Sequence, residues 1–179
     1  FEFIEQIADW LEGADSPKSI AVLHSRNSED FYTGVMGAGT GFLAQKGFVN
    51  FLLKNCYPFE IFFLERVRYE DIQDFDLLVL PFPYHFPREK LGVVEEFVSR
   101  GGDVLVIGEL GAVDENFREY KSPALAKILG IKSLSAPVFG KLSFPDQSPI
   151  LRGKDMELNP KHGYVQIEPD ETTTVISMV

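Results

Sequence analysis

The polar residues able to do chemistry fall into three short clusters: His24-Ser25-Arg26-Asn27, Pro83-Tyr84-His85, and Glu109 with Asp114-Glu115-Asn116. Each follows a short apolar run, SIAVLH at 19–24, LLVL at 77–80 and VLVI at 104–107. That placement matters because open parallel sheets bind ligands beyond the C-terminal ends of their strands. The candidate ligand-binding residues are therefore His24, Arg26, Asn27, Tyr84, His85, Glu109, Asp114, Glu115 and Asn116. His24 and His85 both fall at expected strand ends and can meet in space; the simpler use of each is a polar rim. Asp114 and Glu115 can act as a carboxylate pair in general acid–base work or as a weak cation site. They can equally solvate a loop or pair with an arginine.

Stronger chemistry is not encoded at this edge. His24, His85 and His162 are too scattered for zinc, and neither HxxxH nor CxxC spacing occurs, so no metal is expected. Gly34, Gly37, Gly39 and Gly41 suggest a phosphate cradle, but such a loop needs its glycines directly between a strand and a helix N-terminus. About nine residues separate His24 from Gly34, and neither GxGxxG nor GxxxxGKS is present. A flexible loop leading to a helix is the plainer reading, and no cofactor is expected. A nucleophile elbow would set Ser or Cys between Gly108 and Gly111, where Glu109 and Leu110 stand instead. Cys56 sits at an expected helix end beside Tyr57 with no histidine nearby and reads as an inert, partly buried thiol. No catalytic residue is assigned.

The elements that position these clusters follow from periodicity. Phe3, Ile4, Ile7, Ala8 and Leu11 fall on one helical face. Residues 19–24 form the first strand, followed by a polar loop over 25–30 and the glycine-rich stretch. Phe42 to Asn55 reads as a helix broken by Pro58, Glu60 to Leu64 as the second strand, and Tyr69 to Asp74 as a helical turn. Leu77 to Leu80 is a run too short for a helix and suits a strand buried on both faces. Leu91, Val94, Phe97 and Val98 recur at helical spacing from Arg88 to Ser99. Pro87 suits the first helical turn and Gly101-Gly102 the end. Val104 to Ile107 is a further buried strand, which completes a βαβ unit with parallel strands. A short helix is expected over Ala124 to Leu129, with Ser122-Pro123 at its start and Gly130 at its end. Strands over 138–144, 163–168 and 172–179 have no helix between them and should pair antiparallel at one edge. The expected fold is α/β, a doubly wound, mostly parallel, flavodoxin-like sheet with antiparallel strands at the C-terminal edge.

Composition sets the outer limits. A chain of 179 residues is expected to be one domain and can bury roughly 70% of its unfolded surface without staples. A net charge of −10 and a pI near 4.8 argue against nucleic acid or an anionic membrane as partner. No apolar run approaches the ~20 residues of a membrane span. A single cysteine neither requires nor excludes an oxidising compartment, and the cytoplasm is the favoured assignment. The first residue is Phe1 and the last lie within TTVISMV, so both ends read as cuts in a longer protein.

The succession DLLVLPFPYHFPREKLGVVEEFVSRGGDVLVIGELGAVDENF, followed by SPALAKILGI, resembles the class I glutamine-amidotransferase-like domain found downstream of the barrel in certain glycoside hydrolases. The trimerisation domains of one beta-galactosidase family are its best-known examples. The residues that carry the likeness are Pro81, the helix from Arg88, Gly101-Gly102, Gly108, Gly111, Asp114, Glu115 and Leu129-Gly130-Ile131. SIAVLHS and GFVNFLLKNCYPFEIFFLERV upstream are similar to that family's first strand and the segment after it, so the resemblance covers about 19 to 132. SPILRG and GYVQIEP resemble later strands more loosely. The resemblance implies the amidotransferase-like fold without glutaminase chemistry, because the elbow residue and a late His-x-Glu are both missing. It implies one domain over 1–179, with an N-terminal helix and linker at 1–18, a core at 19–132 and a β-rich part at 133–179. A non-catalytic accessory domain is the function expected, packing against a barrel or against copies of itself. The partners would be self, an attached catalytic barrel, and a carbohydrate. The alternatives are a small-molecule or carbohydrate-binding module, or a small hydrolase or amidotransferase-like enzyme using Glu109, His24 or His85. Tyr32, Tyr84 and Phe86 would suit a sugar face, although packing is the commoner use of aromatics.

Overall fold

The computed structural model describes residues 8, 13, 17–36, 40–134, 142–143, 157–158, 167–169 and 171. The helix expected over Phe1–Leu11, apart from Ala8, the strand expected over 172–179 and His162 lie outside the described residues. The chain divides into two compact units, Phe1–Lys121 and Ser122–Val179.

The first unit is built on a parallel four-stranded sheet. Its strands are β1 (Ile20–His24), β2 (Phe59–Phe63), β3 (Leu77–Pro81) and β4 (Asp103–Ile107), in the order β2-β1-β3-β4. Its helices are α1 (Arg26–Met36), α2 (Thr40–Lys54), the single turn α3 (Tyr69–Ile72) and α4 (Arg88–Ser99). Pairing is in step along the sheet: Ile20 lies opposite Phe59 on one side and Leu77 on the other, and Leu77 lies opposite Asp103. All strand ends therefore finish together, which gathers the loops after β1, β2, β3 and β4 at one edge. Val22 of β1, Val79 of β3 and Leu52 of α2 form the buried centre, with Phe48, Phe59 and Ile107 packed against it. Burying each such side chain contributes about 1.5–3 kcal/mol.

Two helix ends close on the same backbone device. After α4, the Gly101 N–H donates to Val98 O and the Gly102 N–H to Phe97 O, with Gly101 at φ +94°. After α2, the Cys56 N–H donates to Leu53 O and the Tyr57 N–H to Leu52 O, with Cys56 at φ +54°. Both are Schellman closures. Phe51 and Tyr57, stacked with ring centroids 6.1 Å apart, supply the apolar contact that accompanies the second. Cys56 is exposed rather than partly buried because this left-handed corner turns outward into solvent.

Several expectations are corrected. Residues 25–30 are not a polar loop: α1 begins directly after β1 and runs through Gly34 to Met36. The signal was present, since Ser25 Oγ accepts the Ser28 N–H as an N-cap and Glu29 follows in the first turn. Pro87 stands at the N-cap of α4, one residue outside the helix. β4 is not buried on both faces: Leu105 is 40% exposed, because β4 is an edge strand of this sheet. In the second unit, 124–130 forms successive turns instead of a helix. The Ala126 N–H bonds Pro123 O while the Leu129 N–H bonds Leu125 O, a mixed spacing that never settles into a regular ladder, and Gly130 at φ +65° ends it. Antiparallel pairing does occur, but in two ladders separate from the parallel sheet. β5 (Ile131–Leu134), a strand not anticipated, pairs with β8 (Ile167–Pro169), and β6 (Leu142–Ser143) pairs with β7 (Glu157–Leu158).

Candidate functional site

The edge where β1, β2 and β3 end is tied together by a serine–carboxylate knot. Ser25, just after β1, donates its hydroxyl to Glu65 Oε1 at 3.1 Å, and Glu65 follows β2 by two residues. Ser28 Oγ donates to Ser25 Oγ at 2.9 Å and accepts the His85 N–H at 2.8 Å. The Asn27 N–H in the first turn of α1 also donates to Glu65 Oε1 at 3.1 Å. Ser25, Ser28 and His85 are all buried. Glu65 thus occupies the N-terminus of α1, the position that phosphates take in many doubly wound proteins.

A second lock joins the loops after β3 and β4. The Ala112 N–H donates to Tyr84 O and the Phe86 N–H to Val113 O, both at 2.8 Å, so the chain at His85 runs beside Val113 as a short parallel bridge. This brings Asp114 and Glu115 to the start of α4. Pro87 has no side chain able to cap α4, and Glu115 Oε2 accepts the Arg88 N–H at 3.1 Å in its stead. The Arg88 guanidinium donates to Asp114 Oδ2 at 3.0 Å and lies over the Tyr120 ring at 5.1 Å. Asp114, 2% exposed, also accepts the Asn116 and Arg118 N–H groups through Oδ1, each at 3.0 Å. The Arg118 N–H, then Arg88 and the Asn116 N–H, hold the Asp114 carboxyl below the usual range. Glu115 is lowered too, first by the Arg88 N–H. Of the readings open for this pair, the arginine-paired one is what the geometry presents: both carboxylates are ionised and engaged.

The remaining candidates divide between neighbourhoods. His24 Nε2 lies 3.2 Å from Glu29 Oε2, and its ring meets Phe63 edge-on at 5.6 Å. Arg26 is exposed and pairs with Asp30 at 3.1 Å. His85 lies elsewhere, its ring 4.8 Å from that of Phe117. Tyr84 stacks on Phe31 at 5.1 Å, and burial, followed by the Glu109 and Glu119 charges, pushes its hydroxyl pKa up. Glu109 is half-buried on the Gly108–Gly111 turn, which carries no hydroxyl or thiol. Asn116 donates its side chain to Glu115 at 3.4 Å.

Asn27, His85 and Glu115 therefore come together, joined by Glu65, Pro87, Arg88 and Glu89 around a hollow of about 500 Å³. Arg26 and Asn27 border a neighbouring hollow of about 320 Å³ with Phe63, Glu65 and Arg66. A further hollow, lined by Tyr69, Asp76, Phe97 and Gly102, sits at the opposite ends of the strands. Sequence reasoning placed Ser25 at this edge without making it a candidate, and missed Ser28, Glu65 and Arg88. Ser25 and Ser28 were legible as an N-cap and its partner three residues on; Glu65 and Arg88 had no local signal, because their partners lie about 40 and 26 residues away. Among the described residues no group of three or more His, Cys, Asp or Glu side chains is placed to hold a metal. No described helix is long and apolar enough to cross a membrane.

No protein-family model matches the chain, and no curated protein matches it. Solved structures do. A GH42 beta-galactosidase from G. stearothermophilus, in a catalytic mutant, superposes with a TM-score of 0.61 at 17% identity, over 99% of this chain and 26% of its own. Beta-galactosidase from Bifidobacterium adolescentis gives 0.55 at 20% identity over 66% and 56%. That of the Antarctic haloarchaeon Halorubrum lacusprofundi gives 0.59 at 14% identity over 88% and 23%. The fold is one that beta-galactosidases carry. The chain spans only part of each of them, about a quarter of the G. stearothermophilus enzyme, and at these identities the likeness fixes the fold and nothing finer.

Proposed function

We propose that this chain is a non-catalytic accessory domain of a glycoside hydrolase, serving to pack against a catalytic barrel or to join copies of the protein. The observation that carries this reading is the asymmetry of the match, 99% of this chain against 26% of a GH42 beta-galactosidase. Two features of the site support it. The Gly108–Gly111 turn holds Glu109 and Leu110 where a nucleophile elbow would hold Ser or Cys. The Asp114–Glu115 pair is clamped by Arg88 and by backbone N–H groups, which leaves neither carboxylate poised as an acid. The parallel sheet in the order β2-β1-β3-β4 is consistent with a flavodoxin-like, class I glutamine-amidotransferase-like domain of the trimerisation type. Exposed Leu43, Phe51 and Leu53 of α2 and Ile61 and Phe63 of β2 supply apolar surface for such packing.

Sequencing outward from the coding segment and weighing the isolated chain by light scattering test the reading. A gene that also encodes a barrel-sized segment with two acidic residues at strand ends is expected, together with no glycosidase turnover by the isolated chain. A gene encoding this chain alone, with a monomer in solution, refutes it.

A further inference from the structure

Among the described residues, the buried side-chain nitrogen and oxygen atoms left without a hydrogen-bond partner are Nδ1 and Nε2 of His85. His85 is 1% exposed, and its backbone N–H is held by Ser28 Oγ at 2.8 Å. The fold thus fixes this residue firmly while leaving its imidazole unmatched, although buried polar groups are nearly always paired. The same residue lines the hollow of about 500 Å³ with Asn27, Glu65, Arg88, Glu89 and Glu115, a volume within the range of small-molecule sites.

We infer that this hollow binds an uncharged, hydroxyl-bearing small molecule, with the His85 imidazole, the Asn27 side chain and Glu65 Oε2 as its polar contacts. Three observations select that chemistry. The lining sets three carboxylates, Glu65, Glu89 and Glu115, against one guanidinium, which repels phosphates and carboxylates. The N-termini of α1 and α4, the natural anion seats at this edge, are already filled by Glu65 and Glu115. Burial lowers the His85 pKa, outweighing the Glu65 charge and the Glu115 backbone and carboxylate nearby, which act the other way, so the ring is neutral and offers one N–H donor and one acceptor nitrogen. A phosphate dianion only accepts and an ammonium only donates; a hydroxyl group does both. Phe117, 46% exposed and stacked on Phe31, lies against the imidazole with the two ring planes tilted by 40°; rotation of such an exposed side chain, a ps–ns event, would uncover the ring.

The inference does not rest on the accessory-domain reading. The test reads the His85 ring itself, whereas that reading is tested by gene structure and solution mass. The isolated, 15N-labelled chain is titrated with glycerol, D-galactose and D-glucose, with inorganic phosphate and ammonium chloride as charged comparators. The His85 ring nitrogens are followed by long-range 1H–15N correlation. A saturable shift of both nitrogens with at least one polyol, and none with phosphate or ammonium, is expected. Thermal unfolding is compared in His85→Phe, which removes the two unmatched nitrogens and is expected to raise Tm by a few degrees. Polyols stabilise proteins generally by exclusion, so the informative quantity is the increment that wild type shows and His85→Phe lacks. Ring shifts indifferent to all three polyols, or responding as strongly to phosphate or ammonium, overturn the inference. So does an equal polyol increment in wild type and variant.

Discussion

Gly102→Ala should destabilise the chain through one contact, the ring of Phe97. An ideal Cβ at Gly102 would lie 2.3, 2.5 and 2.6 Å from three atoms of that ring, far inside any real carbon contact. Gly102 is not in the left-handed region, so the backbone itself accepts alanine there. Phe97 is 2% exposed, and its ring can escape only into packed neighbours. Forcing an extra methyl into such a place costs about 1–3 kcal/mol, or a fall in Tm of roughly 2–12 °C at about 2–4 °C per kcal/mol for a chain of this size. Gly101→Ala next door is the contrasting case. Its Cβ meets nothing within 4 Å, but φ is +94°, so its cost is about 1–2 kcal/mol of backbone strain alone. The two totals overlap, and a double-mutant cycle separates them. In a Phe97→Leu background, unfolded by urea and followed by circular dichroism, the Gly102→Ala penalty should shrink by at least about 0.5 kcal/mol. The Gly101→Ala penalty should not change. A Gly102→Ala cost that is the same in both backgrounds would refute the steric argument.

The site allows two further predictions. The Asp114 and Glu115 carboxyls have lowered native pKa values, so their contribution to stability is present above the ordinary values of 3.8 and 4.5 and is lost as pH falls through the lowered ones. Wild type should therefore exceed Asp114→Asn in urea midpoint at neutral pH, with the gap closing as acid is added below 3.8; a gap constant in acid contradicts the assignment. Ser28→Ala strands the buried His85 N–H, whose partner is the Ser28 hydroxyl at 2.8 Å, and should cost about 1–3 kcal/mol. Ser99→Ala, which removes an exposed bond to Glu96 O, should stay within about 0.5 kcal/mol of wild type by the same measurement, and equal costs for the two serines would show that the knot has no special weight.

What could be read from the residues and what could not follows from the range of each interaction. α4 runs from Arg88 to Ser99 as its periodicity requires, because an apolar stripe and a Gly-Gly stop are local signals. β1, β2 and β3 were legible for the same reason. α1 was passed over because RNSEDFYTG is polar and carries Gly34, although Ser25 marks its start. The exposure of β4 depends on which strands flank it, and strand order is not written in the strand itself. The candidate residues follow the strand ends, since topology alone puts those loops at one edge. Their division into an Asn27–His85–Glu115 hollow and a His24–Arg26–Glu29 rim depends on side-chain pairings across long separations.

Those pairings also decide which groups at this edge are already engaged. In a doubly wound enzyme, the helix N-termini and the carboxylates at strand ends stay available to the substrate. Here Glu65 fills the N-terminus of α1, Glu115 fills that of α4, and Arg88 holds Asp114. Phe82 and Gly108 lock the turns between them: Phe82 stands at φ +60°, its N–H bonds Ile107 O at 2.7 Å, and its ring lies 2.7 Å from where a Cβ on Gly108 would be. The unmatched His85 ring is the one place among the described residues where a buried side-chain polar atom has no partner.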